Sequence, residues 1–176
     1  MSHLTCTWTE FKNWIDKNYI LTTNKKILDI GCKNHDSKEF FEKLGMVWTG
    51  IDKQPESKRN IDNNLFKMDM TKLDFNDESF DFIFVCHSLE HCENPLQALK
   101  EFYRVLVKNS WLFISLPCYC ENHIVESDED HIFVLTDIQL LRLLKYCKFD
   151  NYNECFKGQP IDSAPHQYNL IGIARK

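Results

Sequence analysis

The sequence has no excess of positive charge. Its 176 residues hold 21 Lys and Arg against 26 Asp and Glu, for a formal net charge of −5. The basic residues are scattered, whereas gripping a nucleic-acid backbone needs a clustered basic face. This argues against nucleic acid as a partner, though not against a nucleotide-bearing small molecule. No apolar run approaches the length of a membrane span, so no membrane partner is expected. The opening MSHLTCTWTEF lacks a basic segment followed by an apolar one, so no signal peptide is read. Eight cysteines are present, but there is no C-x-x-C pair and no second cluster to complete a four-ligand zinc pattern. These absences point to a reduced, cytoplasmic protein with free thiols, most of them small apolar packing groups. Internal repeats, low-complexity tracts and linkers are missing as well, and the length fits one domain.

What is present is an alternation of apolar strands and amphipathic helices. Thr7 and Glu10 read as a T-x-x-E capping box, with Trp8, Phe11, Ile15 and Tyr19 following at helical spacing. This predicts a helical segment within residues 1–24, packed on a core domain of 25–176. Lys26 to Ile30 reads as a buried strand entering a tight turn at Gly31. Asp36 or Ser37 caps the next helix, which carries Phe40, Phe41 and Leu44 and stops at Gly45. Strands are expected over Val47 to Ile51, Leu65 to Met68, Phe80 to Val85 and Trp111 to Leu116, with a loop from Lys53 to Asn64. Asn94-Pro95 opens a helix bearing Leu96, Leu99, Phe102, Tyr103 and Leu106. Thr136 and Gln139 cap another, and two late strands follow, around Phe149 to Phe156 and Tyr168 to Ala174. The pattern predicts an α/β, Rossmann-like three-layer sandwich with a mostly parallel seven-stranded sheet, its last strand antiparallel.

In open sheets of this kind, ligands sit beyond the carboxyl ends of the strands. Gly31 follows the first strand and Asp52 the second, 21 positions later. That spacing matches a glycine turn plus a ribose-binding carboxylate. Asp69 follows the third strand, where an adenine amino group could donate to it. Cys86-His87-Ser88-Leu89-Glu90-His91 follows the fourth.

ILDIGC (27–32), GID (50–52), MDM (68–70), FDFIFVCHSLEHCENPLQALKEFYRVL (80–106) and WLFISLP (111–117), in this order and spacing, resemble the type-11 branch of class I S-adenosylmethionine methyltransferases. The resemblance runs over roughly residues 25 to 150 and implies S-adenosylmethionine as cofactor. By position it implies that Asp29, Gly31, Cys32 and Lys33 flank the methionine part. Asp52, with Lys53 beside it, holds the ribose; Asp69 and Met70 border the adenine; Cys86 and His87 lie under the sulfonium end. The sequence departs from the family in the first loop. Only Gly31 is kept where the family has two or three glycines, which restricts how closely backbone approaches the ligand. The thinned loop argues against a dinucleotide dehydrogenase, whose pyrophosphate needs the full glycine set. It also leaves a second reading, a methyltransferase-like module that binds without catalysing; the intact Asp52 favours the enzyme.

His87-Ser88-Leu89-Glu90-His91 also matches H-x-x-E-H, the inverted zinc-protease pattern. That chemistry takes both histidines from one helix face. Here the motif leaves a strand, and the helix starts only at Asn94-Pro95. No third ligand follows in a helical frame, and Asp128, Asp130 and His131 are too weak a set, so no metal is assigned. A hydroxyl acceptor must lose a proton, and a neutral imidazole is suited to take it near pH 7. His91 and His131 are the candidate bases. No insertion is large enough for a substrate domain, so the acceptor pocket is expected from the first helix and the loops 117–135 and 157–167. With no N/D-P-P-Y segment after strand four, amino methylation of nucleobases or glutamine is disfavoured. A small polar acceptor is expected, a sugar or nucleotide-sugar hydroxyl first and a lipid or quinone-like ring second.

Overall fold

The computed structural model describes residues 3–34, 36–54, 64–119, 130–161 and 164–176. In chain order the elements are α1 (His3–Lys17), β1 (Lys26–Ile30), α2 (Lys38–Lys43), β2 (Val47–Asp52), β3 (Leu65–Lys67) and β4 (Phe80–Cys86). A single 3-10 turn (Leu89–His91), α3 (Pro95–Val105), β5 (Leu106–Tyr119), α4 (Asp137–Tyr146), β6 (Asp150–Ile161) and β7 (Ala164–Arg175) follow. The strands form one seven-stranded sheet in the order β3-β2-β1-β4-β5-β7-β6. The pairs from β3 to β5 are parallel, and β7 runs antiparallel to both β5 and β6. This is the sandwich the alternation predicts, with the last strand reversed.

β4 reads FDFIFVC and is buried at every position but Asp81, as a strand covered on both faces must be. One face packs against Phe11, Trp14 and Ile15 of α1 and Phe41 of α2. Phe11, fully buried, meets the rings of Phe41, Phe84 and Phe113 edge-on at 5.7, 5.4 and 5.2 Å between centroids. The other face packs against Leu99 and Phe102 of α3 and Leu140 and Leu144 of α4. Two helix starts follow their sequence signals. Asn94 caps α3 by accepting from the Gln97 amide at 3.1 Å, with Pro95 next to it. Thr136 and Gln139 form a reciprocal box at the start of α4, with bonds of 3.3 and 2.9 Å.

Three local expectations are corrected. α1 begins at His3, so Thr7 lies inside the helix and caps nothing. A T-x-x-E spacing puts both residues on one helix face wherever it falls. The buried Thr7 hydroxyl instead lies 3.3 Å from Ser115 Oγ and accepts from Asn169 Nδ2 at 3.1 Å. Ser37 stands at the N-cap of α2 without capping it, because its hydroxyl donates to Asp29. Leu106 does not end α3 but starts β5, in extended conformation and paired with Phe80. Asn109, at φ +63, then bends the strand before Trp111 pairs with Phe82. Most of the expected loop from Lys53 to Asn64 lies outside the described residues, as do 120–129 of the expected loop 117–135. The other expected acceptor loop, 157–167, is instead strand on both sides of 162–163, the end of β6 and the start of β7, because the two late strands extend toward each other as an antiparallel pair. No described helix is long and apolar enough to cross a membrane.

Candidate active site

The site begins where β1 ends. Gly31 has φ +69, a conformation that side-chain-bearing residues rarely adopt. A Cβ there would stand 2.3 Å from Ser88 Cβ. The Gly31 and Cys32 amides both donate to the Ile51 carbonyl, at 2.8 and 3.1 Å. Lys33 also takes a left-handed turn, φ +57, and its amide donates to Asp52 Oδ2 at 2.8 Å. The loop therefore keeps a left-handed residue next to the Asp52 carboxylate without a second glycine. A lysine there costs about 1–2 kcal/mol of strain. Asp52 Oδ1 accepts from the Gln54 amide at 2.7 Å, so both oxygens are fixed at the mouth of β2.

Asp29 lies one turn earlier, buried in β1, accepting from the Ser37 hydroxyl and from Trp48 Nε1 at 3.1 Å. Burial outweighs these two hydrogen bonds and pushes its carboxyl from 3.8 up to about 6. Between those values the folded protein holds a proton that the unfolded chain releases. Its stability contribution is therefore full below pH about 4 and lost as pH rises through about 6. Asp29→Asn removes the titration. Urea unfolding of both proteins from pH 4 to 7 should show wild type losing about 2–3 kcal/mol relative to the variant as pH rises. A gap that does not change with pH would refute this.

Gly31 forms part of the wall of two cavities. One, of about 160 Å³, is lined by Ile51, Asp52, Lys53, Met68, Asp69, Met70 and His91 among others. The other, of about 330 Å³, is lined by Trp8, Asp29, Cys32, Lys33, Cys86 and His87 among others. Every residue expected around the cofactor thus borders one of the two. Asp69 Oδ1 accepts from the Thr71 hydroxyl and amide at 2.7 and 2.8 Å, bonds that hold its carboxyl below the usual range. Its Oδ2 is 3.8 Å from Lys53 Nζ. Burial pushes the Cys32 and Cys86 thiols up, disfavouring their thiolates.

After β4 the chain turns sharply at His87, φ +47. Its Nε2 lies 2.8 Å from Asn169 Oδ1, and its Nδ1 3.6 Å from Glu90 Oε1. Leu89–His91 form a 3-10 turn, so the α-helical frame that the zinc-protease pattern needs is absent. Glu90 is buried, and burial pushes its carboxyl up to about 7; its own main-chain N–H and His91 pull the other way without making a hydrogen bond to it. His91 Nδ1 is 2.9 Å from the Asp130 carbonyl, which can only accept, so Nδ1 is the donor and the neutral ring has its lone pair on Nε2. The Ile132 amide donates to the Glu90 carbonyl at 2.9 Å. These bonds draw the 130–132 segment onto the turn and set the His91 and His131 rings 4.9 Å apart. The two candidate bases, distant in sequence, are neighbours. Glu90, Thr7 and Asn169 were not singled out as site residues; only Glu90 carried a signal, the H-x-x-E-H match.

Solved structures with this architecture include a SAM dependent methyltransferase from Archaeoglobus fulgidus, at 20% identity over 96% of this chain and 94% of that one, with a TM-score of 0.71. Another is the 1,6-didemethyltoxoflavin-N1-methyltransferase of Burkholderia thailandensis with bound S-adenosylhomocysteine, at 18% identity, 98% and 88% coverage and 0.68. A third is the [4+2]-cyclase SpnF, at 16% identity, 95% and 80% coverage and 0.72. Identity this low carries the fold alone. No curated protein matches in sequence. The model of the methyltransferase domain family, however, matches residues 28–114, the stretch that holds β1 through the greater part of β5. Fold and family match together define a class I S-adenosylmethionine-dependent methyltransferase. S-adenosylmethionine is its cofactor.

The residues present fit that cofactor. An adenosine needs acceptors for its ribose hydroxyls and apolar walls for its base. The smaller cavity sets the Asp52 and Asp69 carboxylates among Ile51, Met68 and Met70.

Proposed function

We propose that this methyltransferase acts on a hydroxyl of a small polar acceptor, of the sugar or nucleotide-sugar class. The observation that carries the reading is the His91 imidazole. Its Nδ1 is committed to the Asp130 carbonyl, and its ring stands beside that of His131 at a cavity lined by Gly31 and Asp52. When bound, S-adenosylmethionine supplies a methyl group on a positively charged sulfur. The chain holds the reactants in line, which is worth roughly 7–11 kcal/mol, and one of the two histidines takes the hydroxyl proton. In this reading Asp52 and Lys53 hold the ribose, and Asp69 and Met70 border the adenine. Asp29, Gly31, Cys32 and Lys33 flank the methionine part, and Cys86 and His87 lie beneath the sulfonium. The net charge of −5 agrees with an acceptor other than a nucleic acid.

Incubation with S-adenosylmethionine and a panel of sugars and nucleotide sugars should give a product heavier by one methyl group, stable to conditions that hydrolyse esters. Transfer only to amines or thiols in a broader panel would overturn the hydroxyl reading. In the same protein, Asp52→Ala should weaken S-adenosylhomocysteine at least about tenfold, since charge-assisted hydrogen bonds to the ribose are worth roughly 1.5–3 kcal/mol. An unchanged Kd in a folded variant would remove Asp52 from the site.

A further inference from the structure

Glu90 is 1% exposed, and among the described residues neither carboxylate oxygen accepts a hydrogen bond. A buried carboxylate is costly unless it is paired or bound to a cation. On one side the nearest basic atom is His87 Nδ1, at 3.6 Å. On the other stand His91 and His131. One ligand-capable atom from each of Glu90, His91 and His131 can be chosen so that all lie within 4.8 Å of one another.

The surroundings fix this group as a set. The Nδ1–H bond from His91 to the Asp130 carbonyl is the kind of outer bond that orients a metal-bound histidine and leaves Nε2 to coordinate. The bond from the Ile132 amide to the Glu90 carbonyl holds the segment bearing His131 against the turn bearing the other two. Two imidazole nitrogens and one carboxylate oxygen suit a first-row divalent cation and leave coordination positions open.

We propose that Glu90, His91 and His131 form a binding site for a divalent transition-metal cation of the Mn²⁺ or Zn²⁺ type, at the rim of the cavity that His91 lines. The site stands on these three residues. Only its role rests on the hydroxyl-acceptor reading: the open positions take oxygen atoms of the acceptor and orient them toward the cofactor. A cation there would polarise the acceptor oxygen and ease loss of its proton to water, a second route beside the imidazole base of the proposed function.

The test is calorimetric titration of chelator-treated protein with MnCl₂ and with ZnCl₂, alongside Mn²⁺ paramagnetic resonance for nitrogen coupling. One ion per chain is expected with at least one of the two metals, weakened at least about 100-fold in both Glu90→Gln and His131→Ala. S-adenosylhomocysteine titrated into the same variants should bind as to wild type, which shows that they are folded. Absence of stoichiometric binding by either ion overturns the site, and so does an affinity unchanged in the two folded variants. Stoichiometric metal lost in the variants, in a protein that methylates no hydroxyl, leaves the site standing and removes the acceptor reading instead.

Discussion

Gly31→Ala protein is expected to lose measurable S-adenosylhomocysteine binding together with a large part of its stability. The substitution adds two penalties. The backbone at φ +69 is strained for alanine by about 1–2 kcal/mol. The new methyl would sit 2.3 Å from Ser88 Cβ and 2.8 Å from its Oγ. Ser88 cannot simply turn away, because its Cβ is fixed to the backbone and its hydroxyl donates to the Ile30 carbonyl at 3.0 Å. Relieving the overlap moves either the turn after β1 or the turn after β4, at roughly 1–3 kcal/mol more. Both turns line the cavities, so cofactor affinity falls with stability. Urea unfolding and calorimetry read the two losses. A second substitution, Ser88→Gly, should restore part of the stability by removing the clash while leaving the backbone strain. Wild-type stability and affinity in Gly31→Ala alone would mean that the close approach does not exist.

The acceptor side should respond differently. On a hydroxyl acceptor found by the panel above, replacing the base with alanine should lower kcat by about 10²–10⁴-fold and leave S-adenosylhomocysteine affinity nearly intact, because general-base work appears only in the transition state. His91→Ala also frees the Asp130 carbonyl, so it should lower Tm as well. A residue that only anchored the segment would lower Tm and raise KM without the kcat loss. Chelation separates two routes to the same loss. If a bound cation activates the acceptor, chelator reproduces the kcat loss in wild type; if imidazole acts alone, chelator changes nothing. Wild-type turnover in both alanine variants would leave catalysis to positioning and refute the base assignment.

The parallel part of the sheet was legible because β1, β2 and β4 carry apolar runs and a chemically distinctive residue stands at or just past the end of four strands: Gly31, Asp52, Asp69 and Cys86. Burial on both faces demands such runs, and ligands collect at those ends. Asn94 and Thr136 were legible as caps because their partners lie three residues away. Thr7 misled because the same spacing also occurs inside a helix, and its real partners, Ser115 and Asn169, are distant in sequence. Ser37 misled for a similar reason: a buried carboxylate competed for its hydroxyl. The left-handed turn at Lys33 left no trace, since lysine does not announce that conformation as glycine does. Glu90 was visible only in a motif whose helical context is absent. Its meeting with His131 is made by tertiary bonds between segments 39 positions apart, Asp130 being the residue bonded to His91.

Asn169 ties the first helix and the turn after β4 to the last strand of the sheet. It donates to Thr7, 162 positions away, and its carbonyl oxygen meets His87, 82 positions away. Contacts this remote close only after long loops have been ordered, which makes them slow steps in folding. A ribosome-bound chain with residues up to 150 exposed already has β1 through β5 but neither the strand that carries Asn169 nor its hold on His87. Until β7 has been inserted between β5 and β6, the turn after β4 has no anchor. Methyl transfer should therefore appear only after the strand that carries Asn169 has emerged and paired, late and in a single step rather than growing with the nascent sheet.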